Sequence, residues 1–305
     1  MSEGLEQGDA SGRTPLVRAC EEGDFEQVQR LIDKGADVEA KDKHGWTPLV
    51  IASWKGNESI VRLLIDKGAN IDPAALRLAA REGFAPIVEL LIRAGADIND
   101  NERGTTALIM ASRKGHVDVV DCLLSLGADT EARDLTGRTA LMWACEKKKV
   151  DVVDRLLAAG CNVNTQDRNK STALMWASLG GCVPIIDRLV VHGADFNHQN
   201  KEGENSLMFS SLNGHNEAVD RLFSLGCDLN AQNEDGMTAL MLACSEGKTE
   251  TVRLLLDHGA DPLIQDRNEQ RAIDLSAWSA EIQTLLNGLI LLSFHHHHHH
   301  HHHVP

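Results

Sequence analysis

The sequence predicts an all-α repeat solenoid, and three observations support this fold class. Anchor positions of the type T-[PA]-L recur along the chain, and those from Thr106 to Arg271 are spaced 33 residues apart. Each period holds two short stretches with apolar residues at helical spacing. A unit of this size cannot bury its own apolar face, so neighbouring units must stack into a continuous core.

The first helix of each unit has signals at both ends. In "GRTALMWACE" the hydroxyl of Thr139 suits the N-cap position, and other units place a proline directly after the threonine, as in Pro15 and Pro48. A glycine such as Gly115 closes the helix, because glycine tolerates the positive φ of a C-cap. Lys148 stands in place of this glycine in the unit of Thr139, and we expect it to adopt a positive φ at a cost of about 1 kcal/mol.

A second helix and an extended connection complete the unit. The stretch "VDVVDRLLAAG" repeats apolar pairs about one helical turn apart and ends at Gly160. The following segment, "CNVNTQDRNKS", is rich in Asn and Asp and predicts a hairpin-like finger. The predicted architecture is therefore a row of helix–turn–helix units joined by fingers.

Nine such units account for residues 9–288, which we predict to form a single domain. The third unit arrives six residues early and lacks its finger, so Asp72 and Pro73 begin its first helix directly. The last unit is expected to have a shortened second helix, and the first and last units act as caps. Outside the repeats we expect disorder at residues 1–8, an apolar tail or truncated continuation at 289–294, and a purification tag at 295–305, for which a native metal-binding histidine tract is the alternative.

The units resemble ankyrin repeats, whose motif T-P-L-H-x-A-A opens a turn followed by two helices. "TPLVRAC" and "TPLVIAS" are the nearest matches, and "GAD" turns recur after the second helices. The histidine of the motif is absent, and Val or Met replaces it, as in Val17 and Met142. The resemblance implies a protein-recognition scaffold that rarely carries chemistry. The Asp-x-Asn turns also resemble asparagine-hydroxylation sites of eukaryotic ankyrin repeats, and the alternative is that Asn simply suits a turn.

The composition restricts the class of partner and the compartment. A net charge of −15 argues against nucleic-acid binding and favours neutral or basic partners. The seven cysteines include no C-x-x-C pair, and the acidic start "MSEGLEQGDASGR" does not look like a secretory signal, so we expect a cytoplasmic protein, with the nucleus as the alternative. No apolar run reaches the ~20 residues that cross a bilayer. We therefore expect no membrane contact, and we expect a monomer.

The sequence contains no constellation that predicts catalysis. H-E-x-x-H, G-x-S-x-G and G-x-G-x-x-G are all missing. Cys20 and Cys244 share a repeat position that holds Ser or Ala elsewhere, which indicates tight packing. His116 and His215 share a position after the turn glycine, which indicates a feature of the repeat rather than a metal site. We predict no catalytic residue, no metal and no cofactor.

A helical wheel predicts where a partner binds. With Leu141 at the origin and 100° per residue, Trp143 points about 200° away, opposite the packed side. In a stacked solenoid that direction faces the concave groove. The same position in successive units gives an apolar line, which we call the groove line: Met110, Trp143, Trp176, Phe209 and Leu242. Aromatic residues make up only 4% of the chain, so this placement indicates contact with a partner.

Five further side chains complete the predicted partner-binding set. Trp54 and Leu179 lie in the adjacent column of the first helices, Lys147 lies on the groove rim, and Trp46 and Arg138 lie at the fingers. We expect Arg138 to be part of an exposed basic rim that attracts an acidic segment. The alternative for the large groove-line side chains is that they only join neighbouring repeats.

The function predicted from the sequence is a protein–protein interaction scaffold or adaptor that holds a peptide or a domain in its concave groove. The alternative is a regulatory or targeting domain of a larger enzyme or channel. A partner's identity does not follow from the groove line, because these residues define shape only.

Overall fold

The computed structural model describes residues 4–288, and in that range all regular secondary structure is helical. The first helices of the units are α1 (Pro15–Glu22), α3 (Pro48–Lys55), α5 (Pro73–Glu82), α7 (Ala107–Lys114), α9 (Ala140–Glu146), α11 (Ala173–Gly180), α13 (Ser206–Leu212), α15 (Ala239–Ser245) and α17 (Ala272–Leu275). The second helices are α2 (Phe25–Asp33), α4 (Glu58–Asp66), α6 (Ala85–Arg93), α8 (Val117–Ser125), α10 (Val150–Ala158), α12 (Val183–Val191), α14 (Asn216–Leu225), α16 (Thr249–Asp257) and α18 (280–288). The predicted all-α repeat of helix pairs is confirmed.

The chain divides into two compact units, where the sequence predicts a single domain. The first unit holds the residues up to Leu135 together with Thr139–Ala144 and Asp154–Cys161. The second unit holds Thr136–Arg138, Cys145–Val153 and the residues from Asn162 onward. The physical reason is that each repeat contacts only its neighbours, so an array of repeats has no single centre that holds all of it together.

Each unit consists of two layers of helices with the core between them. In the first unit α1, α3, α5 and α7 pack side by side, and α2, α4, α6 and α8 form the second layer. In the second unit the layers are α11, α13, α15 and α17 on one side and α12, α14 and α16 on the other. Leucines such as Leu49 and Leu64, or Leu174 and Leu189, are completely buried between the layers.

The helix ends follow the predicted capping pattern. Thr14 accepts a hydrogen bond from the backbone N–H of Val17 at 3.3 Å, and Asn205 replaces threonine in the same role, since its side chain accepts from Met208 N at 3.0 Å. Gly115 closes α7 with a φ of 80°. Lys148 has a φ of 58°, which confirms that a lysine occupies the left-handed position where other units have glycine.

The third and the last units differ from the others. Residues 67–72 join α4 to α5, whereas residues 34–47 join α2 to α3. In the last unit the prediction of a shortened second helix is wrong: the first helix, α17, spans four residues, while α18 is helical over 280–288. Ser276 is the C-cap residue of α17, and its hydroxyl donates to the carbonyl of Ala272 at 3.0 Å.

The N-terminal residues also correct a prediction. The expected disorder of residues 1–8 does not hold for Leu5, which is 8% exposed, or for Glu6, whose carboxylate accepts a hydrogen bond from Asp37 N at 2.8 Å. An apolar and an acidic side chain therefore secure this segment to the first unit. The predicted tail at 289–294 and the tag at 295–305 lie outside the described residues.

The fingers are stabilised internally by an acidic or amide side chain and externally by their neighbours. Asp167 accepts from the backbone N–H groups of Asn169 and Ser171, each at 2.9 Å. At the base of the fingers of the second unit, a series of asparagine side chains bridges adjacent repeats. The pairs are Asn164 with Asp195 N at 2.9 Å, Asn197 with Asp228 N at 2.8 Å and Asn230 with Asp261 N at 3.0 Å. We call this series the asparagine ladder.

Candidate functional site

The groove line is half-buried, not fully exposed. Met110 and Trp143 in the first unit have intermediate exposure, as do Trp176, Phe209 and Leu242 in the second. Two earlier residues of the same column are buried, with Ile51 at 3% and Leu78 at 8% exposure. Each large side chain therefore contributes one part to packing within its unit and leaves another part accessible.

Trp143 is held in place within the first unit. Its indole Nε1 donates to Asp134 Oδ2 at 2.7 Å, and the guanidinium carbon of Arg113 lies 4.6 Å from the ring centroid. The polar end of the indole and one of its faces thus have intramolecular partners. Such contacts fix the orientation of the ring, so it presents a rigid apolar surface.

Trp176 repeats this arrangement in the second unit. Its Nε1 donates to Asp167 Oδ2 at 3.3 Å, and the guanidinium carbon of Arg138 lies 3.8 Å from the ring centroid. The expectation that Arg138 is an exposed basic charge is wrong, because its side chain is buried and forms an ion pair with Glu146. A buried cation of this kind needs a carboxylate partner and cannot act as a charged rim.

A cavity of about 230 Å³ lies beside Trp176, entirely within the second unit. It brings together three predicted residues, Trp176, Leu179 and Phe209. The remaining lining residues were not predicted: Asp167, Asn169, Ser171, Met175 and Glu204. We call this space the Trp176 cavity. Its wall is aromatic and aliphatic, and its polar edge comes from two neighbouring fingers.

Glu204 is the exceptional acidic group of the Trp176 cavity. Partial burial raises its pKa, and a hydrogen bond with the neighbouring Glu202 raises it further. Asn200 donates to Glu204 Oε1 at 3.2 Å and acts in the opposite direction. The sequence signal that could have revealed this residue is its register: Glu204 occupies the repeat position of Arg138, directly before the N-cap residue.

A second cavity, of about 330 Å³, lies in the first unit beside the predicted residues Trp46 and Trp54. The two indoles meet edge to face with their centroids 5.4 Å apart, and Lys55 Nζ lies 4.5 Å from the Trp54 ring. The ion pair of Arg13 and Glu21 lines the same space. Trp46 is therefore half-buried against Trp54 and does not project as a finger tip.

Five predicted residues line neither cavity: Lys147, Leu242, Met110, Trp143 and Arg138. Lys147 is exposed in the second unit, and Leu242 is half-buried in α15 of that unit. Met110 and Trp143, in the first unit, do not line the cavity beside Trp46. The predicted set is thus divided into a cluster around Trp176, a cluster around Trp46, and isolated positions.

The histidines at the position after the turn glycine connect repeats. His116 Nε2 lies 2.7 Å from the carbonyl oxygen of Arg81, and His215 Nε2 lies 2.9 Å from that of Leu179. Asn57 occupies the same position and donates to the carbonyl of Cys20 at 3.2 Å. Among residues 4–288, no group of three or more His, Cys, Asp or Glu side chains is arranged to hold a metal ion.

The buried cysteines are poor nucleophiles. Burial raises the pKa of Cys20 and of Cys244 to about 12, so both thiols stay protonated at neutral pH. None of the seven cysteines, all within the described range, forms a disulfide. These thiols therefore act as small core side chains, in agreement with their repeat position.

Stacked helix pairs joined by fingers define a helical repeat protein. The chain belongs to the ankyrin repeat family. A family profile described as "Ankyrin repeats (3 copies)" matches residues 2–75, 76–167, 146–233, 174–266 and 207–290. Ankyrin repeats generally mediate protein–protein interaction and are typically non-catalytic.

Two known proteins are similar to parts of this chain. A mouse protein, "Ankyrin repeat and SAM domain-containing protein 6", is 31% identical over 90 residues, which is 30% of this chain and 10% of the relative. This chain therefore matches only about a tenth of that relative's length. The crystal structure of the human ASB11 ankyrin repeat domain superimposes with a TM-score of 0.65 at 23% identity and covers 70% of this chain and 96% of that domain. Across residues 4–288, no helix has the length and apolar character that a bilayer span requires.

Proposed function

We propose that this protein is an interaction scaffold that binds a peptide or a protein domain, and that the Trp176 cavity is its principal contact. The observation that carries this proposal is the aromatic and aliphatic wall of Trp176, Phe209 and Leu179, left partly accessible on a rigid layer of first helices. Partly accessible aromatic residues in a pocket are the usual hot spots of an interface, where truncation costs at least ~2 kcal/mol.

Rigidity supports the same proposal. The Trp176 ring has a hydrogen bond to Asp167 and a guanidinium over one face, so little side-chain entropy remains to be lost on binding. Trp143 has the equivalent restraints in the first unit. We infer that it forms a second contact surface, with Met110 in the same column.

A regulatory or targeting domain of a larger protein is the second candidate function. The mouse relative, of which this chain covers a tenth, is named for a SAM domain as well as its ankyrin repeats. An immunoblot of the endogenous protein would separate the candidates, since a band well above 33.3 kDa supports the larger protein. We also propose a reducing compartment, the cytoplasm or the nucleus, because the seven cysteines form no disulfide in the described chain.

The direct test is selection of binders from a random peptide display library, followed by affinity measurement on the wild type and on Trp176→Ala. We expect the selected peptides to lose at least ~30-fold in affinity on the variant, since a hot-spot truncation costs at least ~2 kcal/mol. Leu179→Ser serves as a milder second variant of the same cavity. Circular dichroism and urea unfolding establish that each variant is folded.

Trp278→Ala is the matched control, because Trp278 is a tryptophan of the second unit that is 63% exposed and lies outside the cavity. We expect selected peptides to bind this variant as they bind the wild type. Peptides that bind folded Trp176→Ala and Leu179→Ser without loss would exclude the Trp176 cavity as the contact.

A further inference from the structure

We propose that the Trp176 cavity receives an arginine side chain of the partner, whose guanidinium pairs with Glu204 while its aliphatic stem lies along the aromatic wall. This inference rests on the proposed function and adds the chemistry of the bound group. It follows from a comparison of equivalent positions in three repeats.

Two other repeats supply their own cation at this place. Arg13, directly before the N-cap residue of α1, forms an ion pair with Glu21 eight residues later. Arg138 forms the same pair with Glu146, again eight residues later. In both cases a guanidinium of the chain neutralises a carboxylate beside the first helix.

The repeat of α13 reverses this arrangement. Glu204 stands at the arginine position, and Leu212 stands at the carboxylate position eight residues later. The repeat therefore retains a carboxylate and an apolar surface but has lost the internal guanidinium. Within residues 4–288, no lysine or arginine forms an ion pair with Glu204, and its hydrogen-bond partners are Asn200 and Glu202.

Of the two carboxylates that line the Trp176 cavity, Glu204 accepts from fewer N–H donors, with Asn200 at Oε1. The other acidic lining residue, Asp167, already accepts from Asn169 N, Ser171 N and Trp176 Nε1. Its two oxygens are thus occupied by the finger and the indole. Burial and a second carboxylate both disfavour the charged form of Glu204, so a cation supplied from outside would relieve an unfavourable local charge. The net charge of −15 also favours a basic partner.

Size and shape favour arginine over other cationic groups. A cavity of about 230 Å³ accommodates one long side chain but no folded element. Arginine carries an apolar stem for Met175, Leu179 and Phe209, and a planar guanidinium that stacks on aromatic rings and pairs with carboxylates. The Arg138 guanidinium, 3.8 Å from the Trp176 ring centroid, shows that this indole accepts such a group on one of its faces.

The experiment is a double-mutant cycle with a synthetic peptide from the display selection. Each arginine of the best peptide is replaced in turn by citrulline, which keeps the shape and removes the charge, and by lysine. Dissociation constants are measured by fluorescence polarisation against the wild type and Glu204→Gln. We expect one arginine-to-citrulline change to weaken wild-type binding at least ~10-fold, as a charge-assisted hydrogen bond implies, and Glu204→Gln binding less than about 2-fold.

Glu217→Gln is the matched control, because Glu217 is an exposed glutamate in α14 of the same repeat. It lowers the net negative charge of the protein by the same amount as Glu204→Gln. We expect the citrulline peptide to lose affinity on Glu217→Gln just as it does on the wild type. An equal response of the two variants would indicate a general electrostatic effect and overturn the assignment of Glu204.

The outcomes separate this inference from the proposed function. Peptides that require Trp176 but contain no arginine, or that bind equally well with lysine in its place, leave the scaffold function standing and overturn the arginine site. Peptides that do not require the Trp176 cavity at all overturn both. Loss of the citrulline effect on Glu204→Gln alone supports the arginine site.

Discussion

Replacing Lys170 with glycine should stabilise this protein. Lys170 has a φ of 58° at the tip of a finger, in the left-handed region that strains any residue with a Cβ. Equivalent positions of other fingers hold glycine, including Gly137, Gly203 and Gly236. Lys170 is exposed, so the substitution removes little packing.

The magnitude follows from opposing contributions. Left-handed φ costs about 1–2 kcal/mol for a residue with a Cβ. The greater freedom of glycine in the unfolded chain returns about 0.4–1 kcal/mol of that gain. A Cβ placed on Gly137, Gly203 or Gly236 would lie 2.9 Å from a backbone nitrogen of the next finger, which accounts for the use of glycine at those three positions. The expected net stabilisation is about 0.5–1 kcal/mol.

Urea unfolding and calorimetry measure the effect, and we expect the melting temperature to rise by about 2 °C. Native-state hydrogen exchange gives a local readout, because the Lys170 amide donates to the carbonyl of Asp167 at 2.9 Å. Lys201→Gly is the matched control: Lys201 is an exposed lysine of the next finger and does not have a positive φ. There we expect a destabilisation of about 0.5 kcal/mol.

The reasoning would be refuted if both lysine-to-glycine variants destabilised the protein equally. Such a result would mean that the finger tip accommodates a Cβ without strain. Stabilisation confined to Lys170→Gly, together with slower exchange of its amide, identifies the left-handed backbone as the cause.

The remaining predictions concern the core and the links between repeats. Glu146→Gln should destabilise the second unit by about 1–3 kcal/mol, since it leaves the buried Arg138 guanidinium without the carboxylate of Glu146. Recovery of stability in the double variant with Arg138→Met, measured by urea unfolding, would confirm the pairing. His215→Ala should cost about 1 kcal/mol, and His215→Asn less, because an asparagine can make the same bond; equal losses would contradict this. Thiol labelling of Cys20 at pH 8 should require unfolding. Because its pKa is raised to about 12, only the unfolded state ionises between pH 9 and 12, so stability falls as pH rises through that window, and Cys20→Ala should reduce the slope.

Local patterns were sufficient for the helices but not for the charges. The wheel predicts that Trp143 points away from the packed side of α9, and Trp143 is half-buried where Leu141 is buried, since the direction of a side chain on a helix follows the 3.6-residue period. The predicted positive φ of Lys148 is confirmed, since that angle is set by the C-cap of its own helix. Both properties are determined within a few residues of the chain.

Arg138 and Glu204 depend on contacts that the local pattern does not contain. Arg138 is buried because Glu146 and the Trp176 ring surround it, and Trp176 belongs to the next repeat. Glu204 lines the cavity only because two fingers and two first helices meet there. Comparing columns across repeats, in addition to reading along one helix, would have shown that arginine and glutamate exchange at this position.

The asparagine ladder has a consequence for how this protein can change in length. Each rung joins a side-chain oxygen to an N–H group 31 residues further on, and the next rung begins two residues after that, so the pattern returns to itself after 33 residues. Removing 33 residues from the interior of the second unit would bring Asp261 to the place of Asp228, and Asn197 would find the same donor as before. A deletion one residue shorter or longer would leave that oxygen facing the wrong group. Insertions and deletions of whole 33-residue repeats therefore keep these hydrogen bonds, and gene duplication can lengthen such a protein without disrupting the bonds of the existing repeats.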